Sequence, residues 1–240
     1  MTVRSRGVAV LPNLVTASCL REPANAVRWS LAAREETPIP TAARPVAVVV
    51  RHGETEWSNA GRHTGRTNLP LNAAGRADAA ALAARLAGLP AALILCSPRL
   101  RAAQTAEIAG YAGRAEITDD LAEWDYGDYE GMTTAQIHAI RPDWSLWRDG
   151  APGGESPEQI GDRADRVVRR LVDAPGDVLI FAHGHLLRVL AATWLGLPPA
   201  EGRLLALSAG SLSVLGWERE TPVLRLWNDV AHISAAPPLR

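Results

Sequence analysis

Two histidines, His52 and His183, each follow a short apolar run, Val46–Val50 and Val178–Ala182. An imidazole nitrogen is a competent nucleophile towards phosphorus. Arg51, beside His52, offers a planar fork of donors that matches phosphate oxygens. Gly53 has no Cβ and permits close backbone approach to a ligand. A second segment, Ser97-Pro98-Arg99-Leu100-Arg101, stands where a helix would open, and helix N-termini favour anions. Taken alone, Arg99 and Arg101 read as solvated. Arginine near a helix start opposes the dipole, however, and a bound anion would account for it. A third segment, Leu121–Gly127, sets Glu123 in a loop among aromatics, where desolvation raises a carboxyl pKa and suits a general acid. Its neighbours Asp119, Asp120, Asp125, Asp128 and Glu130 read as solvated. In His183-Gly184-His185 one imidazole could donate to a transferring group, and the glycine lets the chain turn from strand to helix. No metal is expected there: zinc needs three or four ligands, and no thiolate or H-E-x-x-H pattern completes the pair. His63 and His138 have no comparable context.

Ligands of an open α/β sheet bind beyond the carboxyl ends of its strands, where both histidines fall. The patterning predicts strands at 45–50, 92–96, 177–182 and, weakly, 114–118. An edge hairpin is expected from 211–217 and 222–227. Helices are expected over 72–86 with Asn72 as cap, over 97–110 with Pro98 in the first turn, near 133–140, over 157–172 with Ser156 as cap, and over 186–195. Residues 52–70 and 141–154 read as loops. In the 157–172 helix Ile160, Ala164, Val167, Val168 and Leu171 form one face, with arginine and aspartate over the rest. The alternation predicts an α/β three-layer sandwich, a mostly parallel mixed sheet flanked by helices. Residues 1–44 lack periodicity and carry Pro12, Pro23, Pro38 and Pro40. They read as a poorly ordered extension ahead of one domain over 45–235.

The chain has 240 residues and a formal net charge of −1, so no global field draws it to nucleic acid or an anionic membrane. All its basic residues are arginine, which excludes Schiff-base and P-loop lysine chemistry. No apolar run is long enough to span a bilayer. Val8–Leu20 resembles a weak signal sequence, but Pro12 and Asn13 interrupt it and no A-x-A site follows. Cys19 and Cys96 form no CxxC pair, and Cys96 reads as a buried, inert thiol. A reducing cytoplasm fits.

In this order the segments resemble the histidine phosphatase superfamily, in particular the small-molecule phosphatases of its phosphoglycerate mutase-like branch. The likeness spans about residues 45–230. It rests on Arg51-His52-Gly53-Glu54-Thr55-Glu56-Trp57, His63-Thr64-Gly65, Leu71, Gly75, Ser97–Thr105, Glu123–Gly127 and His183-Gly184-His185. The resemblance implies that His52 attacks the phosphoryl group and becomes a phosphohistidine. It implies that Arg51, Arg101 and His183 bind the equatorial oxygens. Glu123 would protonate the leaving alkoxide and then activate water. No cofactor or metal is implied, because the arginines and a protonated His183 supply positive charge.

Members of this branch often carry asparagine six residues after the nucleophile. Here Ser58 stands there and Asn59 follows, and which of them faces the substrate is open. Thr64, Gly65, Tyr126 and Gly184 complete the expected substrate-binding set. Arg66 is either a contact for a second anionic group or a plain exposed arginine. Trp144 and Trp147 either cover the site or pack on the core. The implied partner is a small phosphate ester, with phosphosugars among the options; no oligomeric state is implied. The alternative is phosphoglycerate mutase-type transfer. Those mutases look like Glu-Arg-His-Tyr-Gly where this chain reads Glu123-Trp124-Asp125-Tyr126-Gly127. A non-catalytic phosphate-binding module would lack the nucleophile or the acid, and neither is missing.

Overall fold

A computed structural model describes residues 44–233. Its strands are β1 (Ala47–Arg51), β2 (Leu93–Cys96), β3 (Glu116–Ile117), β4 (Val178–Ala182), β5 (Leu212–Glu218) and β6 (Thr221–Asp229). Its helices are α1 (Glu56–Asn59), α2 (Ala73–Leu86), α3 (Leu100–Ala106), α4 (Thr134–Ile140), α5 (Leu146–Asp149), α6 (Pro157–Val172) and α7 (Gly184–Trp194). The sheet order is β3-β2-β4-β1-β5-β6. The β3-β2, β2-β4 and β4-β1 pairs are parallel, and β5 joins β1 and β6 antiparallel. This is the expected mostly parallel mixed sheet with its edge hairpin.

The central strands are almost wholly apolar because both faces of the sheet are covered. Ala47, Val49, Val178 and Ile180 point to the face packed by α6 and α7. Val48, Val50, Leu179 and Phe181 point to the other, under Leu82 and Leu86 of α2 and Ala102 and Ala106 of α3. Register then decides the placement of the histidines. Val50 pairs with Phe181 and Arg51 with Ala182, so His52 and His183 leave the sheet side by side.

Some boundaries differ from expectation. Residues 52–70 contain α1, whose turn is closed by a capping box between Thr55 and Ser58. Residues 141–154 contain α5. The third helix begins at Leu100, leaving Pro98 ahead of it. Ser97 Oγ accepts from Arg99 N (3.2 Å) and Asn68 Oδ1 from Leu100 N (2.7 Å), so a neighbouring serine and an asparagine distant in sequence set this start. The last helix begins at Gly184. The predicted extension over 1–44 lies, apart from Arg44, outside the described residues, as does Cys19. Among the described residues no helix is long and apolar enough to cross a membrane.

Candidate active site

A cavity of about 260 Å³ opens at the carboxyl ends of β1 and β4, lined among others by Arg51, His52, Glu123, Tyr126, Gly184 and His185. The sheet fixes His52 through its backbone. Its N–H donates to Ala182 O of β4 (3.0 Å), and its carbonyl accepts from Gly210 N (2.9 Å). Its ring is fixed as well. Nδ1 lies 2.7 Å from Gly53 O, a pure acceptor, so Nδ1 carries the proton and Nε2 keeps a lone pair. Burial, then Arg101 and Arg51, push the His52 pKa well below the ordinary imidazole value, so the ring is neutral. A neutral, oriented imidazole with an unprotonated Nε2 is a nucleophile in its reactive form.

Around that nitrogen stand the cations. Arg101 is fully buried and donates from Nε to His52 Nε2 (3.2 Å). Its other nitrogens donate to Thr67 O (3.1 Å) and Thr64 O (2.7 Å), which ties the 64–67 loop to His52. Arg51 donates to Leu207 O, and its buried Nε has no partner among the described residues. His183 meets His52 edge-on, ring centroids 5.1 Å apart. Its Nε2 shares a hydrogen bond of 2.7 Å with Ser97 Oγ, while its buried Nδ1 has no partner among the described residues. Buried polar atoms are normally satisfied, so the unpaired Arg51 Nε, on a residue that lines the cavity, marks where a ligand oxygen would bind. Burial, then Arg101 and His52, hold His183 neutral, which corrects the protonated state expected of it. Positive charge here comes from the two guanidinium groups.

Glu123 is nine-tenths buried. Its Oε1 accepts from Trp124 N (2.9 Å) and Leu186 N (2.9 Å), and its Oε2 from His185 N (3.1 Å). Two of those donors belong to the first turn of α7, so the helix N-terminus complements the carboxylate charge. The acid is therefore held by backbone donors rather than isolated among aromatics. Its loop is clamped from α6. The Arg163 fork engages Glu155 (2.7 and 2.8 Å) and also donates to Asp120 O and Ala122 O (2.9 Å each). Glu155 Oε2 in turn accepts from Asp125 N (3.0 Å).

The remaining candidates divide. His52, Arg51 and Glu123 line the cavity, while Arg101 and His183, fully buried and outside the lining, stand against His52 from behind. Thr64, Tyr126 and Gly184 line the cavity too. Ser58 lines it, but its hydroxyl donates to Thr55 O (3.1 Å) and accepts from Thr55 N (2.8 Å), so its proton serves the cap. Asn59 is exposed and outside the lining. Gly65 lies outside it too: its N–H donates to Glu130 and its carbonyl faces Arg101. Gly53 approaches backbone rather than ligand, since a Cβ there would lie 2.3 Å from Gly75 O. At Gly184 a Cβ would come within 3.2 Å of Arg51 Cζ; the glycine makes room for a guanidinium. Arg66 pairs with Asp125 and is absent from the lining. Trp144 is buried against Tyr129, and Trp147 packs on Trp124 and His185; both back the wall rather than cover it.

Three residues went unrecognised in the sequence. Glu130 is no solvated carboxylate: it accepts from Gly65 N (3.0 Å) and Thr67 N (2.9 Å), bracing the loop that Arg101 also holds. His63 lines the cavity, and burial pushes its pKa down to about 4. His185 Nδ1 lies 2.7 Å from the Tyr126 hydroxyl. Burial raises the tyrosine pKa and lowers that of the histidine, so the hydroxyl donates and His185 carries its proton on Nε2. The one available signal for His185 was its place two residues past His183 at a helix start.

The family model described as histidine phosphatase superfamily (branch 1) matches residues 47–230. An acid phosphatase of Mycobacterium tuberculosis is 43% identical over 196 residues, covering 78% of this chain and 96% of that protein. A sedoheptulose 1,7-bisphosphatase of Saccharomyces cerevisiae is 38% identical over 185 residues, covering 64% of this chain and 68% of that one. Among solved structures, a mycobacterial glucosyl-3-phosphoglycerate phosphatase in complex with VO3 superposes with a TM-score of 0.69 at 34% identity, covering 78% of this chain and 99% of that chain.

Proposed function

The chain belongs to the histidine phosphatase superfamily, branch 1, and from that premise we propose that it hydrolyses small organic phosphate esters through a phosphohistidine at His52. The observation that carries the reading is the locked tautomer of His52, with Nδ1–H on Gly53 O and Nε2 unprotonated beside Arg101. In the first half-reaction Nε2 bonds to phosphorus, the P–O ester bond breaks, and protonated Glu123 gives its proton to the leaving oxygen. In the second, Glu123 as carboxylate takes a proton from water, the water oxygen bonds to phosphorus, and the N–P bond breaks. Arg51 and Arg101 offset the charge that gathers on the equatorial oxygens, and His183 Nδ1 supplies a further contact. No step requires a metal or cofactor.

The catalytic unit is assigned to residues 45–235, and substrates with a sugar or polyol remainder suit the neutral Tyr126, His63 and His185 surfaces. A reducing, cytoplasmic setting fits Cys96, whose thiol is buried and pushed up to about 12. A screen of phosphate esters with rapid-quench labelling tests the reading. Acid-labile phosphate on wild type, missing from His52→Ala, is the expected result; turnover without any labelled protein contradicts it. Mutase activity is the distant alternative. Incubation with 3-phosphoglycerate and a trace of bisphosphoglycerate separates the two, since free phosphate marks the hydrolase and 2-phosphoglycerate the mutase.

A further inference from the structure

Resting on the phosphatase reading, we propose that Asn228, on the edge strand β6, is a positioning residue for Arg51, the guanidinium assigned to the reacting phosphate. The link is one peptide group, that between Leu207 and Ser208. Its carbonyl accepts from the Arg51 guanidinium, and its N–H donates to Asn228 Oδ1 (2.7 Å). A peptide group is planar, with its C=O and N–H pointing opposite ways. Holding the N–H therefore aims the carbonyl, and the carbonyl aims the fork. Arg51 and Leu207 both line the cavity.

The rest of the loop repeats the arrangement. Towards the sheet ends, Ser211 O accepts from Arg51 N (3.1 Å) and Gly210 N donates to His52 O (2.9 Å). From the other side, Trp227 Nε1 donates to Ala206 O (2.6 Å) and His232 Nε2 to Gly210 O (2.9 Å). Residues 206–211 thus form a spacer between the strand-end groups and the segment 227–232. Of its three outer ties, that of Asn228 falls on the peptide that meets the Arg51 side chain.

The backbone at Asn228 is arranged for this contact. Two non-glycine residues among those described have positive φ. Arg219 sits in the two-residue turn between β5 and β6, where such a φ is ordinary. Asn228, at φ 57°, sits within β6. Val214 pairs with Leu226 but Leu212 with Asp229, so β6 carries one extra residue there, a bulge of the kind that re-aims a side chain. Asparagine takes the left-handed conformation more readily than other residues with a Cβ. Asn228 N donates to Ser213 Oγ (3.0 Å), and Ser213 is buried and pairs with Val49 of β1. The asparagine is therefore anchored to the same sheet that carries Arg51.

The test reads anion binding and needs no turnover. Orthovanadate is titrated calorimetrically into the full chain and its variants. Asn228→Gly keeps the left-handed backbone and loses only the acceptor. It is expected to melt close to wild type yet bind orthovanadate about fivefold or more weakly, the worth of one hydrogen bond. Asn228→Asp keeps an acceptor oxygen and should restore most of the affinity. With Arg51→Lys, which keeps the charge but not the fork, adding Asn228→Gly should cost less than about twofold, because the group it positions is gone. On esters, Asn228→Gly should lower kcat/KM by a similar factor for alkyl and p-nitrophenyl phosphates, since Arg51 acts on the transferred group. Wild-type affinity in Asn228→Gly overturns the proposal. So does an equal loss with and without Arg51, which marks general loosening, or a loss confined to alkyl esters, which places the effect on Glu123. Weaker binding that depends on Arg51, alongside no phosphate release by wild type, would sink the phosphatase reading while upholding the role of Asn228.

Discussion

His52 and His183 stand at the ends of adjacent buried strands, whereas Glu123 and Tyr126 stand on a loop that no strand supports. The inner wall inherits its rigidity from the sheet: the same parallel register that pairs Arg51 with Ala182 sets the two imidazoles 5.1 Å apart between ring centroids. The outer wall is held by separate polar clamps, the Arg163–Glu155 fork beneath the acid loop and Glu130 beneath residues 65–67. The strand-end groups take their places from the sheet and the acid loop takes its place from polar clamps, while Arg101 and the first turn of α7 join the two.

The largest expected effect tests the inner wall. His52→Ala should lower kcat by on the order of 10⁴-fold or more. Its melting temperature should stay close to wild type, because the strand backbone rather than the ring carries the register. Unchanged kcat would remove the wall's chemical role; a collapsed fold would show that the ring also bears structure. Next comes the acid. Glu123→Ala should cost about 10²–10⁴-fold on an alkyl phosphate. The cost should be far smaller on p-nitrophenyl phosphate, whose leaving group needs no proton. Equal losses on both esters would mean that Glu123 positions rather than protonates.

Arg163→Met sharpens the contrast from the outer side. It leaves Glu155 without its fork and the 120–123 carbonyls without donors, so a loss on the order of 3 kcal/mol in denaturant titration is expected. A drop in kcat with the same alkyl-ester bias as Glu123→Ala should accompany it. Lost activity at full stability would show that the clamp is not what holds the acid.

The smallest effect is a slope. His63 stays neutral down to about pH 4 in the folded chain, whereas an unfolded histidine protonates near 6.5. The unfolded state therefore binds more protons between those values, and stability falls as pH drops through that window. Thermal melts from pH 7 to pH 5 should decline more steeply for wild type than for His63→Gln. Parallel slopes would contradict a neutral His63.

The legibility of the sequence divides along the same line. Strand ends, the caps at Asn72 and Ser156, and the groups of the inner wall were readable because they depend on local patterning and on residue types with narrow chemistry. Helix α1 was hidden in a polar loop, since a four-residue helix has no hydrophobic period and only the Thr55–Ser58 cap reveals it. The outer wall was misread because its carboxylates act at long range. Glu130 looks like any loop acid until the fold lays residues 65–67 across it, and Arg163 like any solvated helix residue until Glu155 arrives. His63 was set aside for the same reason: its burial comes from segments distant in sequence. Arg66, open in the sequence between a ligand contact and an exposed arginine, is the exposed one, paired with Asp125.

The contact between Gly53 and Gly75 reaches beyond the cavity. A Cβ at residue 75 would lie 2.1 Å from Glu54 O and one at residue 53 would lie 2.3 Å from Gly75 O, so the start of α2 rests bare against the chain just past His52. In a saturation-mutagenesis map residue 75 would tolerate as few replacements as residue 52, although it never meets a substrate. Intolerance at that position would report the thickness of a peptide bond, not a reaction.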